Sequence, residues 1–156
     1  MSENGFASTP ESVRREPPFV EAVCSRLLFC PTDGFHLTDV QYNAFINTTR
    51  AFGEEYFYVS VVEWAGDFFK RGQHWWCQRP SYDEYSELPL VLENALYSKS
   101  GVFGAILSHE DHGIIGGTKD FIDTSKREYP TWRNDRERIK DDWETSLVAP
   151  VLDATA

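Results

Sequence analysis

Apolar residues change their spacing several times along this chain, and each change marks an element. From Pro18 they fall at Phe19, Val20, Val23, Cys24, Leu27 and Leu28. That i, i+1, i+4, i+5 spacing follows one face of a helix, with a strand as the alternative because the run is short. "CPTDG" breaks it. A second helix is better bounded: Thr38 and Gln41 form a capping box, Leu37 and Tyr42 a hydrophobic staple, and Gly53 stands where a terminating glycine belongs. Its buried stripe is Tyr42, Phe45, Ile46, Thr49 and Phe52. Glu55 to Trp64, "EYFYVSVVEW", is dense in β-branched and aromatic residues with apolar groups on both alternating faces, the mark of an inner strand. "AGDFFKRGQ" fits neither period, and "HWWCQR", His74 to Arg79, reads as another strand.

After the polar link "PSYDEYSE", residues Leu88 to Gly117 read as a three-stranded meander. Its segments are Leu90 to Ser98, Val102 to Ser108 and Gly113 to Gly116, joined by a Lys99-Ser100-Gly101 turn and by "HEDH". Thr118 is the N-cap of a short helix through Phe121, Ile122 and Ser125, stopped by Pro130. A last helix begins near Thr131 or Asn134. Trp132, Ile139, Trp143 and Leu147 line one side, while Asp135, Arg138, Asp141 and Asp142 form a solvated face of mixed sign. Residues 1–17, rich in Ser, Glu, Arg and Pro, read as a flexible tail, and residues 18–150 as a single domain. The order of elements predicts an α+β fold: an antiparallel sheet that includes the meander of the C-terminal half, with helices packed mainly on one face.

Composition narrows the function. With 41% hydrophobic and 15% aromatic residues in 156, the chain has enough apolar surface to build a core without staples. The formal net charge of -10 repels phosphate backbones and anionic lipid. Nucleic acid and membrane are therefore not expected as partners, although colloidal solubility alone also accounts for an acidic balance. Cys24, Cys30 and Cys77 are odd in number and contain no CxxC pair, so no disulfide framework is expected. The N-terminus has no apolar h-region, and no run approaches the roughly 18 apolar residues of a membrane span. The expected location is the cytoplasm.

The densest chemistry is "SHEDHGIIGG". If Glu110 and Asp111 form a two-residue turn, His109 and His112 face each other across a hairpin and could hold a divalent metal. The spacing is not His-Glu-x-x-His on a helix, and zinc catalysis wants a third protein ligand. The order strand, turn, strand, helix has the outline of a ββα-metal nuclease finger. The helix "TKDFIDTSKREY", however, lacks the His or Asn such a finger uses. The competing reading is a solvated turn. "GIIGG" fits neither phosphate-binding signature and reads as a tight strand-to-helix connection in which glycine supplies positive φ. Cys77 and Cys24 read as small core residues, and Cys30 as the most exposed thiol. No catalytic residues are assigned and no cofactor is expected.

The middle of the chain interleaves aromatics and acids. Trp75, Trp76, Tyr82 and Tyr85 alternate with Asp83, Glu84 and Glu87, as an acidic protein-binding surface would require. Neighbours in a strand point opposite ways, so one of the two tryptophans belongs to the core.

Over "ENALYSKSGVFGAILSHEDHGIIGGTKDFID", a meander of "ALYS", "GVFGAILS" and "GIIGG" followed by a helix, the chain resembles small bacterial immunity-type proteins encoded beside polymorphic or contact-dependent toxins. The resemblance covers the second half only and transfers no functional residues. It implies a compact, cytoplasmic, non-catalytic protein that occludes a toxin domain. The expected function is thus an acidic binding protein that neutralises a basic partner such as a nuclease-like toxin domain. A metal-dependent hydrolase using His109 and His112 is the alternative.

Overall fold

The computed structural model describes residues 25–62, 73–108 and 110–142. Within them the chain order is β1 (Ser25–Phe29), α1 (Asp39–Ala51), β2 (Phe57–Val61), β3 (His74–Cys77), α2 (Tyr82–Ser86), β4 (Asn94–Tyr97), β5 (Phe103–Leu107), β6 (Gly113–Gly117), α3 (Lys119–Glu128) and α4 (Trp132–Asp142). The strands form one antiparallel sheet in the order β1-β6-β5-β4-β2-β3. The fold is α+β. The tail at residues 1–17, the ambiguous "AGDFFKRGQ", Trp143 and Leu147 lie outside the described residues.

One sheet face carries the main core. Phe29, Phe57, Val59, Leu96, Phe103 and Ile115 point to it, and α1, α2 and α3 close over them. Phe45 of α1 meets Phe57 and Phe103 edge-on, with centroids at 5.3 and 5.2 Å, and Phe121 of α3 stacks on Phe103 at 5.0 Å. Such edge-to-face and offset pairs add about 0.5–1.5 kcal/mol each to the burial of the rings. α4 packs instead against β1, where Ile139 joins Leu28, Cys30 and Ile114 in a small second cluster on the other face.

The local signals at α1 hold. Thr38 accepts from the Gln41 N–H, and the Gln41 side chain accepts from the Thr38 N–H. Gly53, at φ +73°, follows the helix end. The meander is present as β4, β5 and β6, with Gly101 at φ +83° in its first turn.

Three expectations change. The segment expected as a helix from Pro18 is a strand where it is described, because Leu27 and Leu28 are buried on opposite faces of the sheet, an arrangement only period-two geometry allows. The link "PSYDEYSE" contains α2, nucleated by a second capping box of Ser81 and Glu84. "GIIGG" is β6, the strand read at Gly113 to Gly116 and one residue longer, and its glycines do not take the positive φ expected of a connection. Gly117 is required there for space, not for positive φ: a Cβ would lie 3.0 Å from Phe121 and 3.1 Å from the Val102 carbonyl. A side chain would therefore hold α3 off the sheet.

Candidate functional site

The aromatic and acidic residues of the middle segment divide between two surfaces. Trp75 and Trp76 sit side by side on β3, the last strand of the sheet. Trp75 packs against the main core, whereas Trp76 lies on the opposite face and is 58% exposed. The register aligns Trp76 with Tyr58 and Tyr58 with Tyr97, then continues through Gly104 and Gly116 to Arg26. Aromatic rings thus occupy one end of this cross-sheet row, and glycines leave its middle low. Tyr56 extends the aromatic group, with its ring 5.5 Å from Trp76 and 5.6 Å from Tyr58, and Tyr58 lies 5.5 Å from Tyr97. Tyr56, Tyr58 and Tyr97 were not singled out in the sequence. The signal for Tyr56 and Tyr58 was alternation in "EYFYVSVVEW", where every second residue faces away from the core; Tyr97 joins them through the pairing of β4 with β2.

Beneath the rings is a polar cluster. Ser60 Oγ lies 2.7 Å from His74 Nδ1 and 2.8 Å from the Tyr97 hydroxyl. With Nδ1 unprotonated, Ser60 donates to it and accepts from Tyr97. Ser60 is buried and His74 exposed, so the cluster ties β4, β2 and β3 together side chain to side chain. Among the described residues no carboxylate bonds the other nitrogen of His74. The orienting acid of a Ser–His relay is therefore lacking among them.

Tyr82 and Tyr85 belong to the helix-covered side. Tyr85 has no exposed surface; it stacks on Tyr42 at 4.5 Å, and its hydroxyl accepts from the Leu37 N–H. Burial raises both the Tyr42 and Tyr85 pKa values above the ordinary phenol range. Tyr82 is half-buried beside Tyr42, and its hydroxyl donates to the Leu37 carbonyl at 3.1 Å. Its pKa is also raised, first by burial and then by the negative charges of Asp33, Asp39 and Asp83. Three elements thus bring carboxylates to one tyrosine: the Asp33–His36 bridge, the first turn of α1 and the first turn of α2. All three aspartates are exposed, and none is in an ion pair among the described residues. Asp83, Glu84 and Glu87 are exposed along α2, with the Glu84 carboxylate engaged in the capping box.

The histidine hairpin is built differently from the two-residue turn expected. Leu107 pairs with Gly113, and the Ser108 N–H donates to the His112 carbonyl at 2.9 Å. The residue opposite His112 is therefore Ser108, and the turn has three residues, closed by Asp111 at φ +59°. His112 is buried, and His109 lies outside the described residues. Among the described residues no three His, Cys, Asp or Glu side chains gather as a metal site would need.

Two further residues sit where the sequence did not put them. Asp135, expected on a solvated face, is 6% exposed; its Oδ2 accepts from the Cys30 N–H and the Tyr129 hydroxyl, both at 2.8 Å. Burial raises its pKa, while those two hydrogen bonds and the charge of Arg138 pull the other way. Cys30, expected to be the exposed thiol, is buried, and burial pushes the Cys77 thiol up to about 11. A thiol held protonated in this way is no nucleophile at neutral pH.

No protein-family model matches the chain, and no curated protein or solved structure matches it either.

Proposed function

We propose that this chain is a non-catalytic binding protein that neutralises a basic protein partner by covering it, in the manner of immunity-type proteins. The observation that carries this reading is Trp76, a large apolar side chain more than half exposed beside Tyr56 and Tyr58 at the last strand of the sheet. Rigid aromatic area of this kind supplies most of the binding energy in protein interfaces. The exposed carboxylates of Asp33, Asp39 and Asp83, within a chain of net charge -10, supply attraction to a cationic partner and repulsion of acidic ones. A toxin domain that acts on a phosphate backbone would carry the complementary charge.

The test is co-expression with the product of the reading frame beside its own. Wild-type protein should restore growth against an inhibitory neighbour, and the combination of Trp76→Ala, Asp39→Lys and Asp83→Lys should lose that protection while folding normally. A harmless neighbour, or protection untouched by the triple variant, removes the proposal.

A further inference from the structure

We infer that the edge of β3 left unpaired among the described residues takes up an extended, basic segment of the partner as an added strand; this deepens, and rests on, the binding function proposed above. The direction of the ladder carries the inference. The Val61 N–H donates to the Gln73 carbonyl at 3.0 Å, and the same register pairs Val59 with Trp75 and Phe57 with Cys77. Hydrogen-bonded pairs alternate in an antiparallel ladder, so Gln73, Trp75 and Cys77 spend their backbone groups on β2. The N–H and C=O groups of His74 and Trp76 point the other way, and no other strand pairs with them among the described residues.

The two edges of the sheet are treated differently. β1 is packed against both α3 and α4, whereas the principal neighbour of β3 is β2. Nor does "HWWC", short as it is, contain a proline, a lysine or a bulge, three of the devices that keep an edge from pairing. Charge identifies the occupant. The chain carries a net charge of -10, and Arg79, the basic residue just after β3, is turned to the Glu54 carbonyl, to which it donates at 3.0 Å. A second copy of this chain would be repelled by its like net charge, while a basic segment would be attracted. On an added strand every second side chain shares the face of Trp76, where a lysine or arginine meets the indole as a cation–π pair.

The probe is a blocked octapeptide of alternating lysine and valine, added at low salt to the full chain. Residue-resolved hydrogen exchange is expected to slow at least tenfold at the His74 and Trp76 amides. The variant His74→Pro should weaken binding at least tenfold relative to His74→Ala, because proline removes a donor that faces away from β2 and leaves the β2 ladder intact. Binding that Asp83→Lys abolishes, but that leaves both amides exchanging at their free rate, overturns the edge proposal and leaves the acidic binding function standing. No binding of the peptide overturns the edge proposal, and the co-expression test above decides the binding function separately. Should His74→Pro fold poorly, the exchange pattern of the wild-type chain decides alone.

Discussion

Asp135 shows how far a single charged side chain departs from the face its helix presents. Its carboxylate caps the end of β1 by accepting from the Cys30 N–H, and it anchors Tyr129, whose ring packs edge-on against Phe29 at 4.9 Å. A carboxyl group in the unfolded chain titrates near 3.9. Because burial places the native pKa above that, the folded state binds the proton more tightly. The contribution of Asp135 to stability is most favourable in acid and falls as pH rises from the unfolded value through the raised native one. Asp135→Asn keeps an acceptor without the charge, so chemical unfolding should show the variant gaining on wild type between about pH 3 and about pH 7. A difference that is constant or moves the other way contradicts this. Asp135→Leu leaves the Cys30 N–H without that acceptor and is expected to lose about 1–3 kcal/mol at every pH in this range. The sequence made Asp135 look solvated because helical periodicity ranks faces by average polarity. It carries no record of which turn lies over a strand end.

Among elements, α1 and the meander were legible because each carries signals at both ends: a capping box and a glycine for the helix, turns flanked by alternation for the strands. What escaped depends on one residue of register or one turn of helix. The hairpin at "HEDH" closes with three residues rather than two, which moves Ser108 opposite His112. The five residues of α2 are too few to show a period, so Tyr85 read as surface when it is core. The aromatic face around Trp76 was half legible: alternation separates Trp75 from Trp76, but only pairing across strands brings Tyr58 and Tyr97 to it. Phe45 docks α1 on β2 and β5 together. Phe45→Ala should cost about 3–5 kcal/mol by urea unfolding, whereas Asn43→Ala, two residues away on the exposed face, should stay within about 0.5 kcal/mol. Similar losses for the two would mean that the helix is not held by its aromatic stripe.

At the scale of the whole molecule, charge and strand order each have a consequence. If an acidic protein recruits a basic partner by its field, association should slow about tenfold or more as ionic strength rises from about 0.01 M, where the Debye length is about 30 Å, to about 0.15 M, where it is about 8 Å. Dissociation should change far less. Stopped-flow mixing with the basic partner separates the two rates, and a salt-independent association rate would leave the net charge to solubility alone. Strand order acts earlier, while the chain is being made. β1 is the first described strand to leave the ribosome, yet among the described residues the strand it pairs with is β6, the last. Ser25 must wait for Gly117, and Leu28 for Ile139 of α4, before either is covered. At about 5–20 residues per second the apolar segment Leu27–Phe29 stays unsheltered for several seconds, longer than most hydrophobic collapse takes. Until then the nascent chain exposes an apolar segment that the finished protein buries completely or nearly so.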